Sequence, residues 1–336
     1  MSRAYIRRPP QATQRTRHLV QAAFLLLNLW IGVRFYLWVR ALEQDAVPAF
    51  SRPAGVEGWL PIAGLMNLKF LVISGAIPEI HPAGMFLLLA FLLISFLFRK
   101  AFCSWLCPIG TLSEWLWQGG HELFGRTFRL HRYLDVPLRA LKYLLLGAFV
   151  YVIAGMTADD IGAFLASPYG LVADVKMLDF FRRAGETTVW VVSTLVILSV
   201  LSKNVWCRYL CPYGALMGLV SLLSPLRIVR NPVSCIDCGK CAAACSSFIP
   251  VDQLRHVSTA ECTACLRCVS ACPVDHALEL RVRASSPRVT AAMLAGGVAL
   301  VFCLVVGYAK LTGNWDGRVP DEMLRSLVPM ADAIQH

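Results

Sequence analysis

Charge is scarce in this chain, and negative charge is scarcer: Asp, Glu, Lys and Arg make up 16% of 336 residues, with 21 acids against 32 bases. That excludes an ordinary soluble domain, in which about a quarter of the residues are charged. Histidine is also scarce. None of His18, His81, His121, His131, His256, His276 and His336 falls in the middle of a long apolar run, where a membrane haem would need its axial ligand. There is no G-x-G-x-x-G after a strand, no phosphate-binding loop and no catalytic-triad context, so neither nucleotide binding nor substrate bond chemistry is expected.

What the chain has instead is apolar sequence: 57% of its residues are hydrophobic and the mean hydropathy is +0.58. These residues gather into five runs near bilayer length, at 19–42, 83–98, 139–156, 188–201 and 289–311, each expected to be a transmembrane helix. Two more apolar stretches are interrupted, 59–78 by Asn67 and Lys69, and 161–181 by Asp174, Lys176 and Asp179. Buried polar groups at membrane depth need protein partners, so these are expected as interfacial or re-entrant pieces. Arg34 lies inside the first run beside Tyr36 and Trp38, near enough to its outer end to snorkel.

The net charge of +11 is explained by position, since 22 of the 32 bases fall in 3–17, 99–142 and 203–288. Basic loops stay on the cytoplasmic side, which accounts for the charge without a nucleic-acid partner. The acids Glu43, Asp45, Asp159, Asp160, Asp316, Asp321 and Glu322 lie in the stretches between. The first run reads as an uncleaved span. Starting inside and crossing five times leaves 312–336 on the periplasmic side of a bacterial inner membrane, with the N-terminus cytoplasmic.

Thirteen cysteines stand out against this background, and eight form two runs of C-x2-C-x2-C-x3-C: Cys235, Cys238, Cys241, Cys245, then Cys262, Cys265, Cys268, Cys272 followed by Pro273. That is the spacing of a two-cluster ferredoxin, in which three thiolates wrap a cubane and the last Cys of each run serves the other cluster. One [4Fe-4S] cluster is therefore expected on Cys235, Cys238, Cys241 and Cys272, the other on Cys262, Cys265, Cys268 and Cys245. Zinc would need only paired C-x2-C runs, and disulfides are disfavoured in a reducing cytoplasm. Ser246 replaces the proline that normally follows such a run, a change of turn rather than of ligand.

A repeat accompanies the ferredoxin runs. Phe102-Cys103-Ser104-Trp105-Leu106-Cys107-Pro108 matches Trp206-Cys207-Arg208-Tyr209-Leu210-Cys211-Pro212 at a constant offset of 104 residues, each after the basic end of an apolar run. Two hairpins of the same orientation suggest a parallel repeat whose axis, along the membrane normal, brings the motifs together. In a helical turn each Cys pair would share one face at i and i+4. Four thiols so placed could hold a third cluster, bind or reduce a metal such as copper, act as a redox thiol set, or simply pack. Cys303, alone in the last run, is expected as a packing residue.

Taken together, C-x3-C-P motifs after membrane spans and a pair of ferredoxin runs resemble membrane polyferredoxins of the NapH type, over nearly the whole chain including 58–69 and 206–217. The resemblance implies an inner-membrane protein carrying two [4Fe-4S] clusters on the matching cysteines, exchanging electrons with quinol or a partner reductase, as a quinol-dehydrogenase-like subunit of a larger oxidoreductase would. A related branch, the CcoG-type oxidase assembly factors, has similar motifs with a larger C-terminal domain and is linked to copper reduction; the 25 residues after Leu311 disfavour it.

The expected architecture is thus an α-helical integral membrane protein of about five transmembrane helices with a small cytoplasmic α+β two-cluster ferredoxin module. Its parts are a basic arm (1–18), a four-span domain carrying both C-x3-C-P motifs (19–230), the ferredoxin domain (231–284), and a last helix with a short tail (285–336). The expected function is electron relay between the quinone pool or a membrane redox partner and the iron–sulfur clusters. A copper-reducing or copper-delivering assembly factor is the alternative, and a sensor reporting oxygen or redox state a third.

Overall fold

The computed structural model describes residues 13–282 and 286–334; Arg3, Arg7 and Arg8 of the expected basic arm, and His336, lie outside the described residues. All five apolar runs become helices: α1 (Thr13–Glu43), α3 (Pro82–Phe98), α6 (Arg132–Gly155), α10 (Glu186–Leu201) and α14 (Ala291–Leu311). Between them lie α2 (Pro61–Ser74), α4 (Ala101–Trp105), α5 (Pro108–Phe124), α7 (Ala158–Ala166), α8 (Pro168–Leu171) and α9 (Ala173–Arg182). The rest of the chain forms α11 (Pro212–Ser221), β1 (Arg227–Arg230), α12 (Lys240–Ala244), β2 (His256–Val257), α13 (Arg267–Ala271), β3 (Leu278–Arg281) and α15 (Asp321–Leu327).

Among the described residues, α1, α6 and α14 are long and apolar enough to cross a bilayer, and in each only 17% of the spanning window is buried by protein. Apolar helices left this bare in water would be unstable, so lipid must cover them. The chain is a helical membrane protein. At 17 and 16 residues, α3 and α10 are shorter, and α10 meets α9 at a 78° bend. The interrupted stretches become short helices, as their buried polar residues require: α2 from the first, α7, α8 and α9 from the second.

Local chemistry sets the helix starts. Proline opens α2, α3, α5, α8 and α11, where its missing N–H would have had no helical partner anyway. Thr157 caps α7, its hydroxyl accepting from the Asp160 N–H at 3.2 Å while the Asp160 carboxylate accepts from the Thr157 N–H at 2.8 Å, a reciprocal pairing that satisfies two otherwise orphaned donors.

Contacts divide the chain into two units. The second comprises Leu26–Ala90, Gly147–Thr194 and Phe302–His336. Its core includes Phe35, Trp38, Val39, Val172, Val175 and Leu324, beside a buried polar network. There Arg52 donates to the Asp174 carboxylate at 2.7 Å, Glu57 accepts from the Gly84 N–H at 3.1 Å, and the His81 ring meets the Gly170 carbonyl at 2.8 Å. His81 takes a left-handed backbone, φ 53°, uncommon outside glycine, and Asn67 holds it by donating to its carbonyl at 2.9 Å. The Arg34 guanidinium sits 5.0 Å from the Trp30 ring centre and 4.7 Å from that of Phe50, so aromatic faces receive its charge.

The first unit comprises Met1–Leu25, Phe91–Leu146 and Leu195–Val301 and holds every cysteine except Cys303. Its antiparallel sheet has the order β2-β1-β3, with Ile228 opposite both Val257 and Leu280. Helices α12 and α13 each begin with a basic residue, carry the third Cys of a ferredoxin run second, and end just before the fourth. Cys303 departs from expectation: it is exposed on α14.

Candidate redox site

The two ferredoxin runs fold alike, down to their backbone strain. Left-handed residues flank the second cysteine of each: Asp237 and Gly239 around Cys238, Ala264 and Leu266 around Cys265. A Leu with φ 57° costs roughly 1 kcal/mol or more and persists only where surroundings enforce it. This paired departure curls each loop so that three thiols converge. Cys235, Cys238 and Cys241 line one cavity together with Cys272 from the other run. Cys268 has Cys265, Cys262, Cys245 and then Cys241 as electrostatic neighbours. In the first cavity the fourth cysteine, Cys272, comes from the other run.

The C-x3-C-P motifs also share a local fold, though not the i, i+4 face expected of a helical turn. In both, the N–H of the second cysteine bonds to the carbonyl five residues back: Cys107 to Phe102 at 2.9 Å, Cys211 to Trp206 at 3.0 Å. Such wide turns recur at functional sites. The following proline forces the second cysteine into extended backbone, with ψ 120° at Cys107 and 103° at Cys211, as a residue before proline must be. Each cysteine thereby becomes the N-cap of the next helix, α5 or α11, where backbone N–H groups favour negative charge. The Gly214 N–H donates to Cys211 Sγ at 3.2 Å. At Gly110, a Cβ would lie 2.2 Å from the Cys103 carbonyl oxygen, so only glycine lets α5 start this close.

The four thiols of the two motifs come near one another: Cys207 has Cys211, Cys107 and Cys103 as electrostatic neighbours. Burial pushes the Cys103 thiol up to about 11 and the Cys107 thiol up to about 12. Thiol exchange needs a thiolate, so these groups are poor redox thiols on their own. A soft metal centre that displaces the protons suits them better. Four convergent, half-buried thiols, with a backbone N–H donated to Cys211 Sγ, fit a thiolate-ligated cluster.

The second ferredoxin loop docks directly on the first motif. Ser104 donates to the Thr263 carbonyl at 2.6 Å, and the fully buried Trp105 donates to the Ala264 carbonyl at 3.2 Å. Between them lies a small cavity whose wall includes Cys103, Cys207 and Cys265, with Lys100, Arg208 and Glu261. Sequence reading missed these flanking charges. It also missed Arg99, buried and donating to the Thr259 carbonyl at 2.6 Å, and Lys203, whose ammonium caps the Ala243 and Cys245 carbonyls at 2.9 and 3.2 Å. Their position at the basic ends of α3 and α10 was visible, but a charge there reads equally well as membrane orientation. Ser246, noted only as a change of turn, has its hydroxyl 3.7 Å from Cys265 Sγ.

This fold and these thiol sets define a class: membrane iron–sulfur proteins of electron transport. A family model described as a 4Fe-4S binding domain matches residues 80–131 and 186–230, which contain the two C-x3-C-P motifs, and one described as a 4Fe-4S dicluster domain matches 227–273. The chain belongs to the NapH-type family of membrane ferredoxins. It is 50% identical to YccM of Escherichia coli (strain K12), named as an electron transport protein, over 95% of this chain and 91% of that one. The methylamine utilization ferredoxin-type protein MauN of Paracoccus denitrificans (strain Pd 1222) is 29% identical over 64% of this chain and 77% of its own length. NirI of the same organism is 28% identical over 69% of this chain, which spans 34% of that longer protein. No solved structure matches.

Proposed function

We propose that this protein relays electrons between a ferredoxin module and the membrane through three redox centres. Cys235, Cys238, Cys241 and Cys272 hold the first [4Fe-4S] cluster, Cys262, Cys265, Cys268 and Cys245 the second, and Cys103, Cys107, Cys207 and Cys211 a third. When bound, such clusters supply one-electron acceptance and donation without bond making. The protein's residues enclose them, exclude water and order them. The observation that carries this reading is the cavity whose wall holds Cys103, Cys207 and Cys265 together, which supports adjacency of the second and third sets. The gathering of bases at 99–142 and 203–288 supports a cytoplasmic first unit in a bacterial inner membrane, with the C-terminus periplasmic. The quinone pool or a membrane redox protein is then the partner at the bilayer.

The test is iron and acid-labile sulfide per chain, with EPR of the reduced protein, on anaerobically purified wild type and on the variant carrying Cys103→Ser, Cys107→Ser, Cys207→Ser and Cys211→Ser. Three centres give about twelve irons falling to about eight. About eight in both would refute the third cluster and leave the C-x3-C-P thiols to copper, the alternative that soft thiolates also suit.

A further inference from the structure

Lys100 stands apart from the other cations around the third thiol set. It is buried, 3% exposed, and its side chain lines the cavity that Cys103 and Cys207 share. A Cβ placed on Gly214 would lie 3.6 Å from the Lys100 ammonium and 3.5 Å from Cys211 Sγ, so the ammonium approaches the second motif as well as its own. The Cys103, Cys207 and Cys211 thiols and the Glu261 carboxylate face it, with the Lys142 ammonium also near.

The neighbouring cations are already committed. Arg208 donates to both Asp135 oxygens at 2.9 Å and to the Ser247 carbonyl at 2.7 Å, and Lys142 grips Glu261 at 2.7 and 2.9 Å. Lys100, among the described residues, makes no side-chain hydrogen bond to protein; it faces the Glu261 carboxylate, which Lys142 already grips. One carboxylate facing two buried ammoniums leaves positive charge in excess, and uncompensated charge is costly in a buried wall. Position 100 therefore calls for a second anion in the cavity, and the adjacent four-thiol set provides one once its sulfurs are ligands.

We propose that Lys100 is the fixed countercharge of the C-x3-C-P centre and raises its reduction potential. This rests on the third-centre reading above. Reduction adds one electron and no proton to a centre that is already anionic, and a cation held nearby in a low-dielectric wall stabilises the more negative form. Lys100 is a positioning charge, not a ligand.

The experiment is an EPR-monitored redox titration of full-length wild type, Lys100→Met and Lys100→Arg in nanodiscs, with iron counted on the same samples. Lys100→Met keeps about twelve irons, and the third centre becomes at least tenfold harder to reduce, about 59 mV for a one-electron couple. The two ferredoxin centres stay in place, and Lys100→Arg stays near wild type. A third-centre potential unchanged in Lys100→Met overturns the proposal, as does loss of that centre from both variants, which would make shape rather than charge the contribution of position 100. Loss from Lys100→Met alone supports it. About eight irons in wild type is a separate outcome: it removes the third centre itself, whatever Lys100 does.

Discussion

Serine at Cys272 is expected to strip about four irons from the protein, and adding Cys235→Ser to it should remove no more. The two cysteines belong to different sequence runs but line the same cavity with Cys238 and Cys241. Adding Cys262→Ser instead should remove about four further irons, because the proposed second cluster takes Cys262 with Cys268, Cys265 and Cys245. Residues that act as one unit are non-additive, and residues of separate units add. If each run served its own cluster the pattern would invert: Cys272→Ser with Cys262→Ser would cost no more than either alone. Iron analysis of the three variants decides between the two arrangements.

The second large effect falls on the joint between α1, α5 and α13. The Glu114 carboxylate accepts from Arg17 at 2.6 and 2.5 Å, from Gln21 at 3.1 Å and from Arg267 at 2.9 Å, and Arg17 is fully buried. Glu114→Gln leaves that guanidinium without its counterion, which costs about 3–5 kcal/mol in comparable buried pairs. The carboxyl's acidity follows from the same contacts. Burial would raise the Glu114 carboxyl, but hydrogen bonds and charge from Arg17, with Arg267 behind it, hold it at about 2 against an ordinary 4.5. A carboxyl depressed by folding stabilises the fold above its unfolded value, and that stability drains away as pH falls from about 4.5 toward about 2. The shift corresponds to roughly 3 kcal/mol. Denaturant unfolding in detergent at several pH values should show this slope in wild type and a lower, flatter curve in Glu114→Gln. Equal stability of the two at neutral pH would contradict the assigned role.

The sequence made some of these features plain and hid others for physical reasons. Hydrophobic runs are local, so each of the five apolar runs stands as a helix, three of them long enough to cross a bilayer. The dicluster ferredoxin domain was legible because its cysteine spacing is itself a loop geometry. The two C-x3-C-P motifs, 104 residues apart, take the same wide turn. Their turn was misjudged: proline at 108 and 212 reaches back to the preceding cysteine, and an i, i+4 pair gives way to a wider turn that seats the second thiol on a helix N-terminus. Lys100 and Glu114 were illegible, since their partners are distant in sequence, Glu261 and Arg17 among them. The exposure of Cys303 was equally hidden, because hydropathy is the same on both sides of a helix whose outer neighbour is lipid.

The central claim is that electrons travel between the ferredoxin module and the membrane by way of the C-x3-C-P thiols. It is met most directly by following reoxidation of reduced protein in nanodiscs after a quinone analogue is added without oxygen, in wild type and in the variant with serine at 103, 107, 207 and 211. Wild type should be reoxidised rapidly, while the variant, still holding both ferredoxin clusters, should stay reduced. Equally fast reoxidation of the variant would contradict the account.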